Sequence, residues 1–373
     1  MARYLIALVF GAVLAAGWHW FSREEPMVRE GAEIADSSRS VARSVRRPES
    51  LNDVEVRTAR RSLALGACRQ PAARSEEELM AEYELQREQM LRVLGSSADA
   101  EHLLVAALVS WRKAAEEALP LLAQAEAADP RNPLVASQIL ELCLAIDSCT
   151  LARPRMERNL IAADKANGIA WVTVARSRLG RADEAGALAA MREAAAAPSM
   201  EDRFADYVRL FERALAASSN LSPYERSIAA HGHGAAVFTA GFLITRDCDE
   251  RAMNSAEWRD ACLRLGERFE HSGRTILTRG IGLGLQAKMY EYGGDSRAQE
   301  NAERRYQQFR EESTALASRT ARAMELKDAT VMRQYLDTFA AAGEIAAMEY
   351  LAGEIEARLP AQNGKPESAC ATP

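Results

Sequence analysis

The residues best able to do chemistry together are His231-Gly232-His233-Gly234, two imidazoles at i and i+2. On a strand such a pair shares one face. On a helix the two side chains diverge by about 200 degrees, so joint chelation requires the glycines to break the chain direction. The flanks, Ile228-Ala229-Ala230 and Ala235-Ala236-Val237-Phe238, have helical character, and the expectation is therefore a helix with polar positions or a close crossing at the glycines, not a metal site. Gly280-Ile281-Gly282-Leu283-Gly284 lacks both the preceding strand and the Lys-Ser/Thr pair of a phosphate loop. Gly280 and Gly284 read instead as one helix face that admits a neighbouring backbone. No Gly-x-Ser-x-Gly elbow and no protease-type cysteine setting occurs. No cofactor or catalytic set is implied, and Trp111, Trp171 and Trp258 read as core fillers.

Six cysteines are present. Cys143 and Cys149 lie six apart, and Cys248 and Cys262 fourteen apart, each pair flanking a probable helix boundary, so two local bridges are expected, with buried or free thiols as the alternative. Cys68 and Cys370 lie in polar terminal segments. No Cys-x-x-Cys pair suggests zinc. Bridges imply an oxidising space, and the N-terminus agrees. Arg3 precedes an apolar run from Tyr4 to Gly17, and Trp18-His19-Trp20-Phe21 follows. The run reads either as a single membrane anchor of 18 residues, Tyr4 to Phe21, or as a cleaved signal peptide with small residues Val13 and Ala15 before the cut. The expected location is the bacterial inner membrane with the bulk periplasmic, or a soluble periplasmic or secreted form after cleavage.

The net charge is -6 over 373 residues. Lysine occurs only at Lys113, Lys165, Lys288, Lys327 and Lys365, so the arginine content reflects a compositional bias, and no nucleic-acid partner is expected. Residues 23–74 mix arginine, serine, glutamate and proline without apolar anchors and read as a flexible linker. Ordered structure is expected from Ser75-Glu76-Glu77-Glu78, a capping box opening a helix to about Leu94. Apolar periodicity then predicts helices over Ala100–Ser110, Ala114–Ala128, Pro133–Ile146, Ala152–Ala163, Ile169–Leu179 and Asp183–Ala197, and a further one that begins after Ser199 and runs to about Ala217. A second helical region, 222–359, opens at Ser222-Pro223-Tyr224-Glu225. It contains a long amphipathic helix over Asp295–Lys327, with Ala298, Ala302, Tyr306, Phe309, Leu316 and Ala323 on one stripe, and a last hairpin about Gly343. The tail, 360–373, is expected to be disordered. Alternating β-branched residues are absent, so no strand pairing is expected.

Ala127-Ala128-Asp129-Pro130-Arg131-Asn132 returns 35 residues later as Ala162-Ala163-Asp164-Lys165-Ala166-Asn167, a period of stacked helical hairpins. Ala118, Leu122, Ala125 and Pro130 follow the spacing of tetratricopeptide repeats. Trp171 stands where that family often has an aromatic, and Leu179-Gly180-Arg181-Ala182-Asp183-Glu184-Ala185 is similar to its glycine turn and packed alanine. The interval from Trp171 to Gly180 is shorter than the family's, and the unit holding Cys143 and Cys149 lacks the packed alanine.

Over residues 98–198 the chain thus resembles a tetratricopeptide-like helical repeat protein. The resemblance implies an all-α fold of stacked hairpins, an α-solenoid over 75–217 followed by the second helical region, with repeat packing at Ala118, Leu122, Ala125, Pro130, Trp171, Gly180 and Ala185. The expected role is non-catalytic, the binding of a protein or peptide partner on a curved helical surface. The alternatives are an envelope enzyme whose site assembles from distant helices, with His102, His231, His233 and His271 as its first suspects, and a structural spacer or oligomerisation element built on Asp295–Lys327.

Overall fold

A computed structural model describes residues 76–111, 115–146, 149, 153–237 and 240–360. The expectations for segments 1–22, 23–74 and 361–373, and for Ser75, Cys68 and Cys370, lie outside the described residues. Within them the protein is all-helical: fifteen helices of 12 to 25 residues and one of four residues occupy well over two thirds of the described chain, and no strand forms. Residues Tyr83–Leu359 make one compact unit.

The helices are α1 (Glu76–Leu94), α2 (Ala100–Trp111), α3 (Ala115–Ala128), α4 (Pro133–Ala145), α5 (Arg153–Asp164), α6 (Gly168–Leu179), α7 (Glu184–Ala196) and α8 (Phe204–Ser218), followed by α9 (Pro223–Val237), α10 (Ala240–Ala252), α11 (Ala256–Ser272), α12 (Ile276–Gly293), α13 (Ser296–Thr320), α14 (Ala323–Leu326), α15 (Ala329–Ala342) and α16 (Glu344–Arg358). Sequence punctuation sets their starts. Asn132 caps α4 through Leu134 N–H at 3.0 Å with Pro133 in the first turn, and Asn167 caps α6 through Ile169 N–H at 3.1 Å. These are the final residues of the two recurring segments. In both, the asparagine N–H also donates to the carbonyl of the aspartate three residues earlier, Asp129 and Asp164. The 35-residue recurrence is therefore one helix–turn–cap geometry used twice. Asp183, Ser255, Thr275, Asp295 and Asp328 cap α7, α11, α12, α13 and α15 in the same way.

Helices α2/α3, α4/α5 and α6/α7 pair as hairpins, with α3 and α6 each against α4. The first helix of each hairpin is buried nearly all round, as in the unbroken run Leu103–Ser110. A helix apolar on every side needs neighbours on every side. The missing cover is α8, which packs on α2 and reaches α4 through Gln138 Nε2, a donor to the Tyr207 hydroxyl at 2.7 Å. Helix α8 pairs with α9, and α15 rests on both. The boundary read at 217–222 thus lies inside the α8/α9 hairpin. Helix α7 instead continues to α11, and α11/α12, α12/α13, α13/α16 and α15/α16 complete the unit.

The helix expected after Ser199 is α8, which starts at Phe204, because Ser199 and Met200 run extended and form isolated bridges to Asn167 and Gly273. Three expectations need correction. The helix over 295–327 ends at Thr320, whose hydroxyl turns back onto the Leu316 and Ala317 carbonyls, and Lys327 takes a φ of 48° after α14. At the glycine-rich helix, a Cβ on Gly280 would meet only ring carbons at 3.8 and 3.9 Å, whereas one on Gly282 would stand 2.5 Å from both Gly266 O and Glu270 N. The close α11–α12 crossing therefore passes through Gly266 and Gly282. Finally, Ala118, Leu122 and Ala125 are buried as expected, but Ala185 is exposed and Trp171 only partly buried. In α7 the same four-and-three spacing is carried by the fully buried Ala187, Met191 and Ala194, two residues further along than Ala185.

Candidate functional site

An opening remains where α8 crosses the N-terminal ends of α4 and α6, a cavity of about 50 Å³ lined by Gln138, Asp164, Asn167, Thr173, Asp202, Arg203 and Tyr207 over an apolar floor of Leu160, Phe269 and Ile281. The extended segment 199–203 builds one wall. Asn167 pins it: its side-chain oxygen accepts from Glu201 N–H at 2.9 Å while its amide donates to Glu201 O at 2.8 Å and to Asp164 Oδ2 at 3.0 Å. Opposite, Gly168 leaves room for the buried Met200 thioether, which would lie 2.3 Å from a Cβ there. Arg203 then turns the chain into α8 with a φ of 62°, a left-handed backbone that costs a non-glycine residue about 1–3 kcal/mol. Its guanidinium binds Asp164 at 2.5 Å and Asp206 at 3.2 Å, which hold the turn.

Two carboxyl groups mark this region electrostatically. Asp202 accepts from Phe204 N–H at 3.1 Å and from the Thr278 hydroxyl at 3.4 Å, and Thr275 in turn donates to Thr278 at 2.8 Å. Burial pushes its pKa up to about 6 against these donors, and the charge of Glu201 adds to the rise. Glu344, at the start of α16, accepts from Ile276 N–H at 2.7 Å. Burial raises its pKa to about 7 against that bond, and Asp202 raises it further. Burial also raises the Tyr207 hydroxyl. Sequence reasoning missed Asp202 and Glu344, because they stand far apart in the chain and neither belongs to a spaced motif.

The four histidines stand in separate surroundings. Helix α9 runs unbroken through His231-Gly232-His233-Gly234. His231 Nδ1 binds Ser227 O at 2.7 Å, and its ring lies against Phe204 and Tyr335. His233 stacks on Phe211 with centroids 4.9 Å apart. His102 meets Ser97 Oγ at 3.1 Å, and the exposed His271 meets Glu267 O at 2.7 Å. Of the glycines, Gly234 has the packing role, since a Cβ would stand 2.8 Å from Val208.

Both expected cysteine pairs stand at disulfide distance. Cys143 and Cys149 have Cα atoms 5.1 Å apart, and Cys248 and Cys262, fully buried between α10 and α11, 6.0 Å apart. Pro130 sits in the exposed α3–α4 turn. Gly180 ends α6 where a Cβ would meet Leu144 at 2.6 Å, and Trp171 Nε1 donates to Lys165 O at 2.9 Å, tying α6 to the turn before it. A second polar cluster is structural: Arg176 binds Glu141 at 2.5 Å in the interior of the α4–α6 contact, with Asp247 of α10 at 3.8 Å. Among the described residues no helix is long and apolar enough to cross a membrane. Comparison with known proteins finds no matching family model, no similar curated protein and no similar solved structure.

Proposed function

We propose that this chain is a non-catalytic envelope protein that binds a protein or peptide through its tetratricopeptide-like hairpins, at the cleft left open between α4, α6 and α8. The observation that carries the reading is the cover formed by α8 over α2 and α4, the first helices of two hairpins. Beside that cover lies this polar-walled, apolar-floored opening. An opening of this size takes one side chain or chain end, not a helix, so recognition rests on an anchor residue with the rest of the partner on the rim. The enzyme alternative, with His102, His231, His233 and His271 as its residues, is disfavoured by their separate surroundings. The spacer alternative rests on the exposed outer side of α13.

Residues 1–22 would hold the protein at the inner membrane with its bulk in the periplasm, or be removed to free it. The two cysteine pairs at bonding distance support an oxidising compartment. The test places a photo-reactive residue at Ser137 or Ile169 in the cleft, and at Gln307 on the outer side of α13, in cells expressing the full chain. Crosslinks to one partner from the cleft positions, abolished by Tyr207→Ala, are expected. Crosslinks from Gln307 alone would favour the spacer reading and overturn this one.

A further inference from the structure

Three hydrogen bonds join the α15–α16 turn to the α11–α12 turn. Glu344 N–H donates to Arg274 O at 2.8 Å, Ile276 N–H donates to Glu344 Oε2 at 2.7 Å, and the Arg274 guanidinium donates to Ala341 O at 2.9 Å. Gly343, with a φ of 92°, lets the backbones meet, since a Cβ there would lie 2.9 Å from Arg274 O. Asp202 stands beside this junction on the extended segment. Neither Asp202 nor Glu344 forms an ion pair among the described residues. The cations at hand are committed elsewhere: Arg203 to Asp164, Asp206 and Glu201, and Arg274 to Glu201 at 3.7 Å. A half-buried carboxylate without a cation favours its neutral form, and two such groups side by side do so more strongly.

We propose that the α15–α16 turn is a proton-controlled latch, closed while Asp202 and Glu344 hold protons and loosened when both ionise. The groups facing the pair are Glu201 and Arg203 on the extended segment, Thr275 and Thr278 at the start of α12, Arg274 before it, and Tyr335 of α15 with His231 of α9 behind it. The sign follows from linkage. Closed, the carboxyls bind protons up to about 6 and about 7; in an open, hydrated turn they return toward 3.8 and 4.5. The closed form therefore holds the extra protons, and its advantage falls as pH rises from about 4 to about 7. His231 opposes this in part. Burial lowers its pKa below 6.5, so acidification charges it first in the open form, but it is one group against two. Release would uncover Phe204, against which Phe339 packs at 5.0 Å, and would free Asp202 at the cleft wall. The latch stands whether or not the cleft binds a peptide.

The test is amide hydrogen exchange at Ile276 and Glu344 in the full-length chain from pH 5 to 8.5, corrected for intrinsic rates. Protection is expected to fall about tenfold or more across that range, since each unit of pKa separation is worth a factor of ten. Glu344→Gln keeps the oxygen that accepts from Ile276 but cannot ionise, so its profile should be shallower than the native one, keeping only the Asp202 share, and Asp202→Asn should keep only the Glu344 share. Asp337→Asn, at an exposed pair with Arg209 on the same hairpin, should keep the native profile. Protection in the native chain that does not change with pH, or a native slope retained in Glu344→Gln, would overturn the latch. Should Glu344→Gln fail to fold, the native and Asp202→Asn profiles decide.

Discussion

Replacing Gly282 by alanine should damage this protein, while the same change two residues earlier should not. At Gly282 the new methyl would stand 2.5 Å from Gly266 O, 2.5 Å from Glu270 N and 2.7 Å from Phe269 Cβ. Carbon contacts settle near 3.5–4.0 Å, so α12 must move off α11 by about 1 Å over a contact that also buries Leu265, Phe269 and Leu285. Overpacking of this kind costs about 1–3 kcal/mol and can cost more, because the obstructing atoms are backbone. Removing a glycine from a helix interior returns about 1 kcal/mol. The net expectation is a loss of about 1–2 kcal/mol. At Gly280 the methyl would touch only Phe309 and Tyr306 at 3.8 and 3.9 Å, an ordinary contact, so the helix gain survives and the variant should be more stable by up to about 1 kcal/mol. The two variants should then differ by about 2–3 kcal/mol, or about 4–12 °C in Tm at the slope of a domain this size. Urea unfolding of both proteins, read by circular dichroism, measures the gap. A Gly282→Ala protein as stable as the native one, or a Gly280→Ala protein equally damaged, would refute the crossing.

Three further outcomes are expected. Replacing Cys248 and Cys262 together by serine should cost about 3 kcal/mol, the loop-closure value for a separation of 14, and peptide mapping without reductant should recover both this pair and Cys143–Cys149; six alkylatable cysteines in native exported protein would contradict both. Ala187→Arg should destabilise by several kcal/mol because its Cβ is fully buried, whereas Ala185→Arg should leave Tm nearly unchanged; the opposite ranking in thermal melts would restore the register expected from the repeat. Arg176→Met should cost about 3–5 kcal/mol by leaving the buried Glu141 carboxyl without its cation, so that it must be protonated or stay desolvated, and adding Glu141→Leu should recover most of it; a double variant as unstable as the single one would mean that the pair's geometry, not its charge balance, matters.

Much of the helical outline was readable because its determinants are local. Asn132, Asn167, Asp183, Ser255 and Asp295 cap helices within three residues of themselves, and the predicted ends of the helices between Ala100 and Ala197 fall within two residues of those observed. The cysteine pairs were readable for the same reason, since a short loop must bring its ends close. Register within a helix was less secure. In an alanine-rich stretch such as Ala185 to Ala197, several faces satisfy the same spacing, and only the positions of its neighbours α6 and α11 select the one carrying Ala187, Met191 and Ala194.

What the sequence by itself determined, then, is the all-helical class, the approximate ends of most helices, the recurrence of the turn ending in Asn132 and Asn167, and the closeness of neighbouring cysteines, all consequences of interactions within a few residues. Only the tertiary structure decided that α8 lies across the hairpin face, that Gly282 and not Gly280 takes the close crossing, and that Asp202 and Glu344 share one junction. These depend on which helix meets which across tens to hundreds of residues. The all-round apolar α2 demanded a cover without naming it, because burial is non-directional and any apolar face would satisfy it.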